Sequence, residues 1–232
     1  MREIVFDTET TGLSFTGGDR LVEIGCVELV HRVETGRVFH AYFHPERDMP
    51  AEAQAVHGLS ATFLSDKPRF HQGVEELLAF IGDAPLVAHN AGFDFGFLNG
   101  ELVRLGRAAV CMTRMVDTLQ LARSRHPGAK HSLDALCSRY GIDRSRRVLH
   151  GALLDAQLLA QVYVELTGGR QIGLTLVADE VDGAAAASHA APAVARQVRP
   201  PRLFAPNEGE RAAHAAFMTT VANPLWGVET AA

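Results

Sequence analysis

The sequence predicts an α/β fold: a mixed sheet with helices on both faces, followed by a largely disordered C-terminal tail. Three observations carry that reading. Three apolar, β-branched segments with short links open the chain, as in an antiparallel meander. Short apolar runs then alternate with stretches of helical periodicity, as when strands are joined through helices. After Gly169 the composition changes to runs of Ala with Pro, Ser and Arg, which cannot build a core.

The first strand is Arg2-Glu3-Ile4-Val5-Phe6, and it runs into Asp7-Thr8-Glu9 before Thr10-Thr11-Gly12 turns the chain. The second spans Leu21 to Val30. The third spans Val38 to Phe43, reached through Glu34-Thr35-Gly36 as the turn. Pro50-Ala51-Glu52 starts a short helix, since proline suits a first turn; it ends at Val56-His57-Gly58. Val74, Leu77, Leu78 and Ile81 share one helical face, so Phe70 to Gly82 is an amphipathic helix. Pro85 to Asn90 is a short apolar strand, and Gly92 to Leu105 is helical by pattern. Arg114 to Asp117 is a short strand, and Asp117-Thr118 caps a helix running through Arg125. Ser132-Leu133-Asp134 caps another that ends at Gly141. The longest helix, Ala152 to Leu166, is closed by Gly168-Gly169. In the tail, Asn207 to Ala222 forms a last short helix, and Asn223-Pro224-Leu225-Trp226 follows.

Bulk properties narrow the function classes. A net charge of −5 argues against a protein that coats duplex DNA through a basic surface, though not against a site whose bound cations attract phosphate locally. The three cysteines, Cys26, Cys111 and Cys137, are widely spaced and form no C-x-x-C, so neither a disulfide framework nor a thiolate zinc site is expected. With no signal peptide in view and no apolar run near the ~20 residues that span a bilayer, a cytoplasmic protein without a membrane partner is expected.

The chemistry lies in acids that are distant in sequence. Side chains two apart on a strand share a face, so Asp7 and Glu9 project together from one rigid element. Two carboxylates so close repel unless a cation sits between them, and Mg²⁺ or Mn²⁺ favour such oxygens. Asp94 lies among Phe93, Phe95, Phe97 and Leu98, where an ionised carboxylate needs a partner or water. Asp155 poses the same problem within Leu153-Leu154-Asp155-Ala156. His150 precedes it by five positions. Two helical residues at that spacing point ~140° apart, so Gly151 places His150 on an entry loop from which it can reach an acid held by the helix.

Together these segments resemble the DEDDh 3′–5′ exonucleases, of ribonuclease-H-like fold. The resemblance rests on Phe6-Asp7-Thr8-Glu9-Thr10-Thr11-Gly12-Leu13, on His89-Asn90-Ala91-Gly92-Phe93-Asp94-Phe95-Gly96-Phe97-Leu98, and on His150-Gly151-Ala152-Leu153-Leu154-Asp155-Ala156. It covers about the first three quarters of the chain, taken as an exonuclease domain over residues 1–169. It implies hydrolysis with two Mg²⁺ or Mn²⁺ ions held by Asp7, Glu9, Asp94 and Asp155. His150 would be the general base, an imidazole titrating near neutral pH, and the product a nucleoside 5′-monophosphate from a 3′ end. The segment from Pro50 to Gly58 resembles the family's pocket for the terminal nucleotide. That implies substrate contacts by Glu52 and His57 besides Asp7, Glu9 and Asp155. His89 is expected to be structural, and Asp117 to serve only as a cap.

The tail resembles the proofreading, epsilon-type branch of the family, which serves bacterial DNA polymerase III. Its segment 170–177, with Gln171, Ile172, Leu174 and Leu176, would bind the sliding clamp. Residues 178–206 would be a flexible linker. Residues 207–232, with Phe217 and Trp226, would bind the polymerase III alpha subunit. DNA, at a single-stranded or frayed 3′ end, is the expected substrate; a ribonuclease that trims RNA ends shares the same site residues. A module that tethers partners without catalysis would have no need of all five signature residues.

Overall fold

The computed structural model describes residues 1–147, 149–169 and 205–222. These fall into two units, divided after residue 176, and each is taken by itself.

In the first unit, strands β1 (Arg2–Thr10), β2 (Leu21–Val30) and β3 (Val33–Tyr42) form the expected antiparallel meander. Strands β4 (Leu86–Ala88) and β5 (Met115–Asp117) extend it in parallel, giving the order β3-β2-β1-β4-β5. The sheet is therefore mixed, with β1 at its centre.

Alternation along β1 sends neighbouring residues into two cores. Ile4 and Phe6 face helices α3 (Phe70–Ile81) and α4 (Gly92–Arg104), where Phe6 meets the Phe95 ring edge-on at 5.7 Å. Val5 faces helix α7 (Ala152–Leu166) with Val27, Leu29 and Val87. Helices α5 (Thr118–Arg125) and α6 (Leu133–Tyr140) pack against α7 through Ala122, Leu136, Cys137, Leu158 and Val162. Ile4, Val5 and Phe6 are all essentially inaccessible, which is worth ~2 kcal/mol each. A one-residue slip of β1 would exchange its faces and drive Asp7 into the apolar core, so the register is strongly specified.

One turn differs from its expected place. The hairpin between β2 and β3 turns at His31-Arg32, both at positive φ (51° and 65°), as a two-residue loop of type I′ sense requires. Glu34-Thr35-Gly36 lies inside β3 as a bulge. Val27 pairs with Val38 and Leu29 with Glu34, so Glu28 alone opposes Thr35 to Arg37. Gly36 takes φ 81°. Thr35 Oγ1 and Arg37 Nη1 both donate to the Glu28 carboxylate, at 2.7 and 2.9 Å. Glycine after polar residues marks bulges as well as turns, and the polar partner that selects the bulge sits on another strand.

Helix α1 (Ala51–His57) forms after Pro50 as expected. The short helix α2 (Ala61–Leu64), capped by Ser60, and the 3-10 turns Phe15–Gly17 and Met112–Arg114 have no periodic signal. In the second unit, helix α8 (Glu208–Met218) is capped reciprocally. Asn207 Oδ1 accepts from Glu210 N at 2.9 Å, and Glu210 Oε2 accepts from Asn207 N at 2.8 Å. Among the described residues no helix is long and apolar enough to cross a membrane.

Candidate active site

Strands β1 and β4 run parallel, so their carboxyl ends open at one edge of the sheet, where ligands bind in open α/β sheets. Asp7 and Glu9 lie on the α7 face of β1, in step with Val5. Thr8 lies on the other face and reaches α4, donating from Oγ1 to Asp94 Oδ1 at 2.7 Å. Asp94 is buried in the first turn of α4, where the helix N-terminus favours a negative charge. The chain enters α4 through His89 and Asn90. Asn90 sits at φ 62°, and its backbone N–H donates to Asp117 Oδ1 at 3.1 Å. Asp117 also accepts from Leu119 N at 2.8 Å as the cap of α5, and His89 Nδ1 lies 2.9 Å from Thr118 Oγ1. His89 thus braces the loop, as expected, while Asp117 does more than cap α5, since it also holds the Asn90 backbone.

Asp155 enters from α7. That helix approaches because the β2 residue paired with Asp7 is Gly25, where a Cβ would lie 2.3 Å from the Leu153 backbone. The missing side chain lets the first turn of α7 rest directly on the sheet, carrying Asp155 to Asp7 and Glu9. Gly151 caps α7, and His150 stands just outside it, half exposed, with its backbone N–H donating to Val56 O at 3.3 Å. Ligand atoms of Glu9, His150 and Asp155 all lie within 4.8 Å of one another.

A cavity of about 620 Å³ opens over Asp7, Glu9, Asp94 and His150, with α1 in its wall through Glu52, Val56 and His57, and Asp155 lines an adjoining cavity of about 630 Å³ that shares Asp7 and His150. His57 is buried. Its Nδ1 accepts from Leu59 N at 3.0 Å, which puts the proton on Nε2, and that N–H has no partner. A buried donor without a partner is costly, and His57 stands in the cavity wall.

The acids strain one another. Burial first, and then Asp94, Glu9 and Asp155, push the Asp7 carboxyl well above the usual range. Glu9 is pushed up to about 8 by burial, by Glu23 across the strand pair, and by Asp155 and Asp94. Burial lifts Asp94 to about 7 against the bonds that favour its charge. Arg147 offsets part of this, donating from Nε to Asp155 Oδ1 and from Nη2 to Asp155 Oδ2, both at 2.6 Å. The donors are carboxylate oxygens, the set that suits a hard divalent cation, with one imidazole beside them. Carboxyls held above their ordinary range are also what a bound cation would relieve.

Asp7, Glu9, Asp94, His150 and Asp155, expected from three distant segments, therefore meet at one cleft, with Glu52 and His57 on its wall. Gln171, Ile172, Leu174, Leu176 and Trp226 lie outside the described residues. Phe217 is exposed on α8. Sequence reasoning missed Gly25, Thr8, Glu23 and Arg147. An interior strand glycine does flag close approach of another backbone, so Gly25 had a signal; the other three act only through tertiary contacts.

Residues 4–163 match the exonuclease family model RNase_T. The chain belongs to this exonuclease family. It is 54% identical over 185 residues to a DNA polymerase III subunit epsilon of Rickettsia felis, covering 78% of this chain and 81% of that one. Against the epsilon subunit of Salmonella typhimurium the identity is 44% over 220 residues, 92% and 90% of the two chains. Among solved structures, the fold resembles exonuclease X in complex with 5′-overhanging duplex DNA, with TM-score 0.55 and 25% identity over 71% of this chain and 90% of that one. It also resembles the nuclease domain of 3′hExo, a DEDDh family member bound to rAMP, with TM-score 0.62 and 16% identity over 72% and 91%. The exonuclease fold is thus ribonuclease-H-like, a mixed five-stranded sheet with helices on both faces.

Proposed function

We propose that this exonuclease removes mismatched 3′-terminal nucleotides during DNA replication, as the proofreading subunit of DNA polymerase III. The observation that carries the reading is the meeting of four carboxylates and His150 beside a cavity with an unsatisfied buried donor. The epsilon subunits above supply its replication context.

Asp7, Glu9 and Asp155, with Asp94 behind them, would hold two Mg²⁺ or Mn²⁺ ions, which neutralise phosphodiester charge and activate water. The protein supplies the rest. The 3′-terminal nucleotide enters the cavity under α1, where the free Nε2–H of His57 donates to a sugar hydroxyl and Glu52 accepts from one. Thr8 and the α4 N-terminus fix Asp94. His150 takes a proton from the attacking water at its imidazole, and its half-exposed position lets that proton pass to solvent. The water oxygen bonds to phosphorus as the bond to the 3′ oxygen of the preceding nucleotide breaks, and that oxygen takes a proton from solvent, releasing a nucleoside 5′-monophosphate. A mismatched primer end is already partly unpaired, so threading it into the cavity costs less than threading a paired end. Selection lies in that transfer rather than in base contacts.

Residues 207–232 would bind the polymerase alpha subunit and residues 170–177 the sliding clamp, in the cytoplasm. Such tethering raises the local concentration of nuclease at the primer end. Deleting 207–232 should spare nuclease activity and abolish co-purification with the alpha subunit; unchanged co-purification contradicts that assignment.

The direct test measures nucleotide release from 3′-labelled single-stranded DNA and RNA with Mg²⁺. The parent should release 5′-monophosphates, faster from DNA, and Asp7→Ala should abolish release. Equal digestion by Asp7→Ala overturns the site, and faster digestion of RNA favours the trimming ribonuclease.

A further inference from the structure

Arg147 belongs to the loop between α6 and α7, three residues before His150, and none of the roles above uses it. Its guanidinium grips Asp155 as a fork, with both carboxylate oxygens at 2.6 Å. Such bidentate pairs are the strongest and most geometrically fixed of charged hydrogen bonds. The same Nη2 lies 2.9 Å from His150 Nδ1, and Asp155 Oδ2 lies 3.3 Å from that nitrogen. Arg147 therefore sits on two of the three groups whose ligand atoms cluster within 4.8 Å. It is only 10% exposed. Both Asp155 oxygens already accept from the guanidinium, so a divalent cation that engages them must compete with its positive charge.

An exit is built beside it. Nη1 of Arg147 already donates to Asp134 at 2.9 Å, and Asp134, half exposed and shared with Arg144 at 3.1 Å, lines the adjoining cavity with Arg147 and Asp155. Rotation of the long Arg147 side chain onto Asp134 would free Asp155 without moving α7.

We propose that Arg147 is the resident counter-cation of the metal site: it holds Asp155 and His150 when no divalent ion is bound, and yields by withdrawing onto Asp134. This rests on the reading of the acid cluster as a metal site. The device keeps the cleft assembled when empty, because a buried Asp155 left without a cation would be strongly destabilising. It also sets the concentration at which divalent ions load, since a loading ion must compete with the charge of an ion pair already formed.

The test is calorimetric titration of Mn²⁺ into the EDTA-stripped full chain, with metal-free melting measured alongside. Arg147→Gln should bind Mn²⁺ about tenfold tighter or more, the scale of a charged hydrogen-bonded pair, and should melt lower without metal. Arg147→Lys, which cannot fork, should fall between it and the parent. Equal or weaker binding by Arg147→Gln overturns the proposal while leaving the metal site standing. If that variant does not fold without metal, binding by Arg147→Lys no tighter than the parent's overturns it instead. A parent that binds no Mn²⁺ overturns both the proposal and the metal-site reading beneath it.

Discussion

Replacing Glu9 with Gln should make the metal-free protein less sensitive to rising pH. Glu9 is 8% exposed, and burial together with Glu23, Asp155 and Asp94 lifts its carboxyl from an ordinary 4.5 to about 8. A carboxyl raised on folding contributes stability that is full below the unfolded value and lost as pH rises through the folded one. For Glu9 that window runs from 4.5 to about 8. Each pH unit across it is worth ~1.4 kcal/mol, so the full loss approaches roughly 5 kcal/mol, and entry of water into the cleft reduces it to ~2–5 kcal/mol. A neutral amide has no such slope, and any cost of seating it is the same at every pH. The assay is urea unfolding in EDTA at pH 5, 6.5 and 8. The parent should lose stability steeply over that range and Glu9→Gln distinctly less, with the gap widening by at least ~2 kcal/mol. Parallel losses in the two proteins would refute the electrostatic account of the cleft.

Two further substitutions probe how the site is positioned and what it does. Gly25→Ala puts a methyl group against the Leu153 backbone, so α7 must shift. Unfolding should show a loss on the order of 1–3 kcal/mol, and nuclease rate should fall with it; a stable, fully active variant contradicts the close-approach argument. His150→Gln removes a half-exposed side chain, so melting should barely change. The turnover rate should drop ~10²–10⁴-fold with Mn²⁺ still bound, and retained turnover excludes His150 as the base.

Much of this architecture was legible because local signals and tertiary structure agree. The α7 boundaries follow from Gly151 and Gly168, and the β1 faces from strict alternation of Ile4, Val5 and Phe6. Asp94 was ambiguous in sequence, since a helical Asp usually faces water. In the fold it is buried and paired with Thr8, on a strand 86 residues away in sequence. The β2–β3 turn was misplaced because the bulge at Gly36 is chosen by Glu28 on the partner strand. Arg147 could not be anticipated: nothing in a run of arginines says which one forks onto a carboxylate.

The central claim is that Asp7, Glu9, Asp94 and Asp155 form a cage for divalent cations beside His150. Anomalous diffraction from crystals grown with Mn²⁺ and a nucleoside 5′-monophosphate tests it most directly. The account predicts two manganese peaks among those carboxylates, the nucleotide sugar under His57, and Arg147 withdrawn from Asp155. A map with no manganese there, or with Arg147 still forked onto Asp155 and the nucleotide elsewhere, would contradict it.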